Sequence, residues 1–103
     1  MAFPRDAAQL QESFTLHAVR EEGAVVELAV ELNPGQTVIY HWVADHDVEF
    51  NIHSHQGETV TYHERLLERE ADGVFGGRTT GDYYLMWENG HSRPVTVRVE
   101  LRR

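Results

Sequence analysis

The chain has no cysteine. Disulfides, thiolate metal sites and cysteine nucleophiles are therefore excluded. Positive charge is also scarce. Against 17 Asp and Glu stand only 9 Lys and Arg, a net charge of −8 over 103 residues. No basic run relieves this imbalance, so phosphate backbones are repelled and nucleic acid is a poor partner. Anionic membrane surfaces are disfavoured for the same reason. Long hydrophobic runs are missing too. The opening MAFPRDAAQLQE is mixed polar and holds no apolar signal-peptide run. No stretch approaches the ~20 apolar residues of a membrane span. As given, the chain reads as cytoplasmic; a mature exported domain with its leader trimmed would read identically.

What is present suits one compact domain. A hydrophobic share of 41% in 103 residues is enough for one core and too little chain for two. The dominant period is two, the signature of half-buried strands. Residues 14–19 alternate, and Glu21-Glu22-Gly23 offers a turn. Residues 24–32 then place Val26, Leu28, Val30 and Leu32 on one face and Glu27 and Glu31 on the other. The two segments are expected to pair as a hairpin. Asn33-Pro34-Gly35 is a strong turn, with Pro presetting φ and Gly tolerating a positive φ. Residues 36–43 alternate Val38, Tyr40 and Trp42 against Ile39 and His41, and Ala44-Asp45-His46 reads as a turn. Residues 47–55 set Val48, Phe50 and Ile52 against Glu49, Asn51, His53 and His55. Gln56-Gly57 turns the chain into a returning strand at 58–63, with Val60 and Tyr62 opposed to Thr61 and His63. Residues 64–72 (ERLLEREAD) read as a crossing loop with one or two helical turns. After the glycine-rich 73–77, residues 82–88 and 94–101 form the last strands.

About eight short strands at this spacing predict an all-β fold, an antiparallel β-sandwich or jelly roll. Residues 1–12 are expected to be a loosely ordered lead-in. Tyr40, Trp42, Phe50, Tyr62, Phe75 and Trp87 are the expected aromatic core. Tyr83 and Tyr84 are neighbours, so at most one of them points inward.

The second half resembles the GOLD domain, the β-sandwich of emp24-type cargo receptors. The carrying residues are Tyr40-His41-Trp42, then Asp47-Val48-Glu49-Phe50-Asn51-Ile52, then Gly81-Asp82-Tyr83-Tyr84-Leu85-Met86-Trp87-Glu88-Asn89, and a closing strand near Pro94. The likeness spans roughly residues 36–101. It implies a GOLD-like sandwich serving as a protein-interaction module, with no catalytic residues. The cysteines, coiled coil and membrane anchor of the receptors are missing, so a role in vesicle traffic is not carried over. His53-Ser54-His55 also invites comparison with cupins, which place His-x-His on a small β-barrel. Here position 47 is Asp where that pattern has Gly, and Glu58 follows His55 by only three residues.

Five of the seven histidines fall between His41 and His63. Imidazole is the commonest protein metal ligand and titrates near neutral pH. On a strand, His53 and His55 point the same way, roughly 7 Å apart. With Phe50 and Ile52 inward, both face outward. His63 is expected to share that face if Tyr62 points in, and His41 also lies outward. His53, His55, His63, His41 and His91 are thus the candidate metal ligands, with Glu49 or Glu58 as an oxygen donor. Nitrogen ligation suits copper, zinc or nickel. The plainer readings are polar side chains on a wet sheet face, or a pH-sensitive cluster. Ser54 points to the opposite face from its neighbours and is not expected to act as a nucleophile. His17 and His46 are isolated.

The expectation is a small non-catalytic binding or interaction module for a protein or small ligand. The alternatives are a transition-metal-binding protein and, third, a cupin-like metal-dependent enzyme. Exposed sheet edges also offer a route to a homodimer.

Overall fold

A computed structural model describes residues 1–103 and contains seven β-strands and no helix. They are β1 (Ala2–Phe3), β2 (Gln9–Leu16), β3 (Val25–Leu32), β4 (Thr37–Gln56), β5 (Thr59–Gly76), β6 (Gly81–Glu88) and β7 (Val95–Arg102). The expected all-β fold is present. β1 pairs with β3 in parallel, and every other pairing is antiparallel. With no helix at all, no helix is long and apolar enough to cross a membrane.

The architecture turns on β4 and β5. At 20 and 18 residues, they far exceed the usual five or six. β4 bends in the middle and serves two layers. Its first half pairs with β7, from Ile39↔Arg102 to Ala44↔Val97. Its second half pairs with β6, from Glu49↔Glu88 to Ser54↔Tyr83. β5 follows β4 along its other edge throughout. Layer one is therefore β3, β6, the second half of β4 and the first half of β5. Layer two is β2, β7 and the remaining halves. The β4–β5 ribbon folds over and joins them.

This arrangement corrects four sequence-based expectations. Ala44-Asp45-His46 is a corner within a continuous strand, not a turn. Thr96 N–H donates to Asp45 Oδ1 there, and Arg69 donates to the Asp45 carbonyl. The expected crossing loop at 64–72 is strand, because its backbone is claimed by β4, against which its local helix preference is weak. β2 and β3 do not form a hairpin. β2 pairs with β7 and β3 with β6, so the loop between them crosses from layer to layer. The N-terminal segment is tied down: Phe3 is buried, and Arg103 lies over its ring and donates to the Phe3 and Pro4 carbonyls.

Inward residues follow the predicted alternation. β7 alternates buried and exposed along its whole length. Trp42, Phe50 and Trp87 form the centre, with Phe50 and Trp87 centroids 5.3 Å apart and Trp42 edge-on to Trp87 at 6.4 Å. Phe14 and Tyr40 close around them. These contacts join the two layers, and aromatic area of this size dominates a small core. Asn89, only 1% exposed, closes one end: its side-chain amide donates to the His17 and Arg93 carbonyls and its Oδ1 accepts from His91 N–H.

Candidate functional site

Phe50 and Ile52 are buried, so His53 and His55 do lie on the outward face of layer one. There the side chains stand in rows across the strands. One row holds Tyr62, His53 and Tyr84; its neighbour holds Arg65, Asn51 and Met86. His53 is 4% exposed despite facing outward. It stacks on Tyr84 at 5.4 Å and is covered by His55 at 5.1 Å and Tyr62 at 5.9 Å. Its Nδ1 donates to Asn51 Oδ1 at 2.6 Å, which fixes the tautomer. Its Nε2 lies 3.8 Å from Glu27 Oε2. Burial holds the His53 pKa below the ordinary imidazole value. The neighbouring His55 and His63 add to that, and Glu27 only partly opposes it. At neutral pH this is a neutral, pinned ring.

Exposed apolar side chains share this face, Tyr62 and Val60 beside the two histidines and Leu67 and Val25 two rows farther along the strands. All four are more than a third exposed. Arg65 lies over the Tyr62 ring at 4.6 Å. Among them on the same face stand Glu27, Glu31, Glu49, Asp82 and Glu88, with Glu49 and Glu88 between Leu67 and Val25. Glu49 and Glu88 are directly opposed across β4 and β6. Burial, a hydrogen bond to Glu49 and the Glu49 charge together push the Glu88 carboxyl above its ordinary range. Tyr62 was expected in the core and is instead 48% exposed.

His63 is the main correction to the proposed metal set. Ile52 pairs with Glu64, but His53 pairs with Tyr62, so His63 is an extra residue on β5. This β-bulge reverses the facing of the strand. Tyr62 turns out and His63 turns in, away from His53 and His55. Its ring packs on Phe75 at 5.3 Å and Tyr83 at 5.6 Å, and Nε2 is hydrogen-bonded to Ser54 Oγ at 2.9 Å. Burial, then the Arg78 charge, lower its pKa. Ser54 does face away from its two neighbours, as expected, yet meets an imidazole from the next strand. Sequence reasoning missed that pair, because only the bulge creates it.

The other candidates are elsewhere. His41 lies on the outward face of layer two, its Nε2 donating to Glu70 at 2.9 Å. His91 sits at the corner end, donating to the Asp47 carbonyl at 2.6 Å, with His46 5.5 Å away ring to ring. No three histidine or acidic side chains converge where a metal ion could sit. The five proposed ligands occupy four separate places.

The inward-turned His63 lines an open cleft of about 740 Å3 between the two arms of β5. Thr61, Tyr62, Glu64, Phe75, Gly77 and Arg78 also line it. The loop carrying Arg78 is pinned. The Arg78 and Thr79 N–H groups donate to the Tyr83 hydroxyl, which donates to the Thr79 carbonyl at 2.7 Å. Burial alone would raise the Tyr83 pKa, but these hydrogen bonds and the Arg78 charge outweigh it and lower it.

No protein-family model and no curated protein sequence matches the chain. Among solved structures it is similar to a de novo designed double-stranded β-helix determined by solution NMR. The TM-score is 0.50 at 20% identity, covering 90% of this chain and 99% of that one. The likeness is one of fold, and the two-layered path of β4 and β5 agrees with it.

Proposed function

We propose that the protein is a small non-catalytic binding module that takes a basic polypeptide segment with apolar side chains on the outward face of layer one. The observation that carries this reading is His53: a neutral imidazole buried on the outside of a sheet, beneath the exposed Tyr62 and the half-buried Tyr84. A merely wet face has no need of a pinned, dry centre. Exposed Tyr62 and Val60 supply apolar contact area beside it, and Leu67 and Val25 add to it farther along the same face; exposed apolar surface of this kind marks interaction sites.

The charge pattern selects the partner. Five acids are interspersed among these side chains. Of the cations nearby, Arg65 is engaged on Tyr62 and Arg5 on Glu31. A second copy would set acids against acids, whereas a Lys- or Arg-bearing segment complements them. The GOLD-like core pattern supports the same reading, since GOLD domains are thought to serve as interaction modules.

The test is fluorescence anisotropy with two synthetic peptides, one alternating Lys and Val and one alternating Glu and Val. The Lys peptide is expected to bind, and more weakly as salt rises. Tyr62→Ala or the Glu27→Gln/Glu49→Gln pair should weaken it by about fivefold, roughly 1 kcal/mol. Glu70→Gln/Glu100→Gln on the outward face of layer two removes the same charge and should change little. Equal losses from both pairs would mean non-specific attraction to an acidic protein, and the proposal would fail.

A further inference from the structure

The cleft between the arms of β5 holds two opposite charges that do not meet. Arg78 and Glu64 both line it, and neither makes an ion pair within the chain. Their charged atoms are thus more than 4.0 Å apart across an open space. Beneath lies Phe75, 9% exposed, whose ring meets His63 and Tyr83.

The backbone that carries Arg78 is fixed, and its guanidinium is free to meet a ligand. The Arg78 backbone N–H is held by the Tyr83 hydroxyl. Gly77 brings the loop hard against β3: a Cβ there would lie 2.8 Å from Leu32 Cβ and 2.9 Å from the Asn33 carbonyl oxygen. Glu64 is placed by the bulge, which sets it beside His63 opposite Ile52. The His63 ring is anchored by Ser54 and forms a fixed wall. The cleft thus has an apolar aromatic floor, one cationic side and one anionic side.

Each simpler ligand leaves a charge unanswered. An anion on Arg78 would face Glu64, and a cation on Glu64 would face Arg78. An uncharged ligand would cover part of both without replacing the water it displaced, which costs free energy. We propose that this cleft binds a small ampholyte with an aromatic body: its carboxylate on Arg78, its ammonium on Glu64 and its ring over Phe75. A free amino acid with an aromatic side chain is the simplest member of that class. Arg suits the carboxylate end because its planar fork accepts two oxygens at once. Ring stacking on a buried Phe adds contact area that neither charge supplies. The cleft lies between the arms of β5 and the proposed peptide face on the outward side of layer one; Tyr62 borders both, whereas Arg78 and Glu64 belong to the cleft alone.

Three probes share one ring and differ only in charge: phenylalanine, 3-phenylpropionate and 2-phenylethylamine. Each is titrated into the 15N-labelled protein, following the amides of residues 76–79 and the His63 ring protons. Phenylalanine is expected to shift these signals and to bind about fivefold or more tightly than either half-charged probe. Arg78→Gln should reduce phenylalanine to the affinity of the amine, and Glu64→Gln to that of the acid. Both residues are exposed, so the variants should keep the wild-type amide spectrum elsewhere, which the same experiment reads. The proposal is overturned if either half-charged probe binds as tightly as phenylalanine, or if the shifts fall outside the cleft. Absence of saturable shifts from all three up to about 10 mM, a binding free energy weaker than roughly −3 kcal/mol, overturns it as well.

Discussion

Asn51 and His53, two residues apart on the outward side of β4, are joined by a 2.6 Å hydrogen bond from imidazole to amide oxygen. The bond turns a surface histidine into a structural one. One ring nitrogen is committed, and the other faces Glu27.

Stability should therefore fall on mild acidification. The folded-state pKa of His53 is depressed, chiefly by burial, so the unfolded chain takes up the proton first. His53 contributes fully above the unfolded value of 6.5, and its contribution is lost as pH falls through the folded value. His63 adds a loss of the same sign. Denaturant midpoints measured between about pH 8 and pH 5.5 should decline, spanning the imidazole range. The slope should be shallower in His53→Gln. A variant that declined as steeply as the parent would remove His53 as a cause.

Glu49 and Glu88 oppose one another across β4 and β6, and the Glu88 pKa is raised. The sign is the reverse of that for His53. A raised carboxyl favours the fold while protonated, and the benefit is lost as pH rises through its folded value. At neutral pH the pair repels. Glu88→Gln should then stabilise the protein by about 0.2–1 kcal/mol, the scale of a cross-strand charge pair. Thermal or urea unfolding at pH 7 reads this directly, and the gain should vanish in acid.

Tyr40 and Gly73 face each other in the β4–β5 register, and the Tyr40 ring fills the space a side chain would take. A Cβ on Gly73 would sit 2.6 Å from the phenol oxygen and 2.8 Å from Cζ. The ring is rigid and 4% exposed, so it has little room to retreat. Gly73→Ala should cost about 1–3 kcal/mol, the usual range for overpacking. Gly76→Ala, whose nearest contact would be 3.7 Å away, is the control and should unfold at nearly the parental denaturant concentration.

Zinc or copper should read the histidines as separate places. Any binding at His53 and His55 should be unchanged in His41→Ala, His63→Ala and His91→Ala, because those three rings lie elsewhere. Calorimetry with each variant measures this. A tight site that needed His63 together with His53 would mean the ribbon rearranges around metal.

The core was legible along the chain because alternation is local. Trp42, Phe50, Ile52 and Trp87 could be assigned inward, and His41, His53 and His55 outward, from the two-residue period. The same logic failed at Tyr62 and His63, since one extra residue on β5 reverses every facing beyond it. Nothing in Thr61-Tyr62-His63-Glu64 marks the bulge; it shows only when β5 is laid against β4.

Pairing was likewise out of local reach. A polar run such as Ala44-Asp45-His46-Asp47 looks like a turn whether the chain stops there or bends through it. Residues 64–72 look helical until a partner strand satisfies their backbone. Strand content, the faces of most strands and the members of the core follow from side-chain alternation, which each segment carries by itself. Only the folded chain, through hydrogen bonds between residues far apart in sequence, decided three further things. It made β4 serve two layers, brought Ser54 to His63, and opened a cleft with Arg78 and Glu64 on its sides.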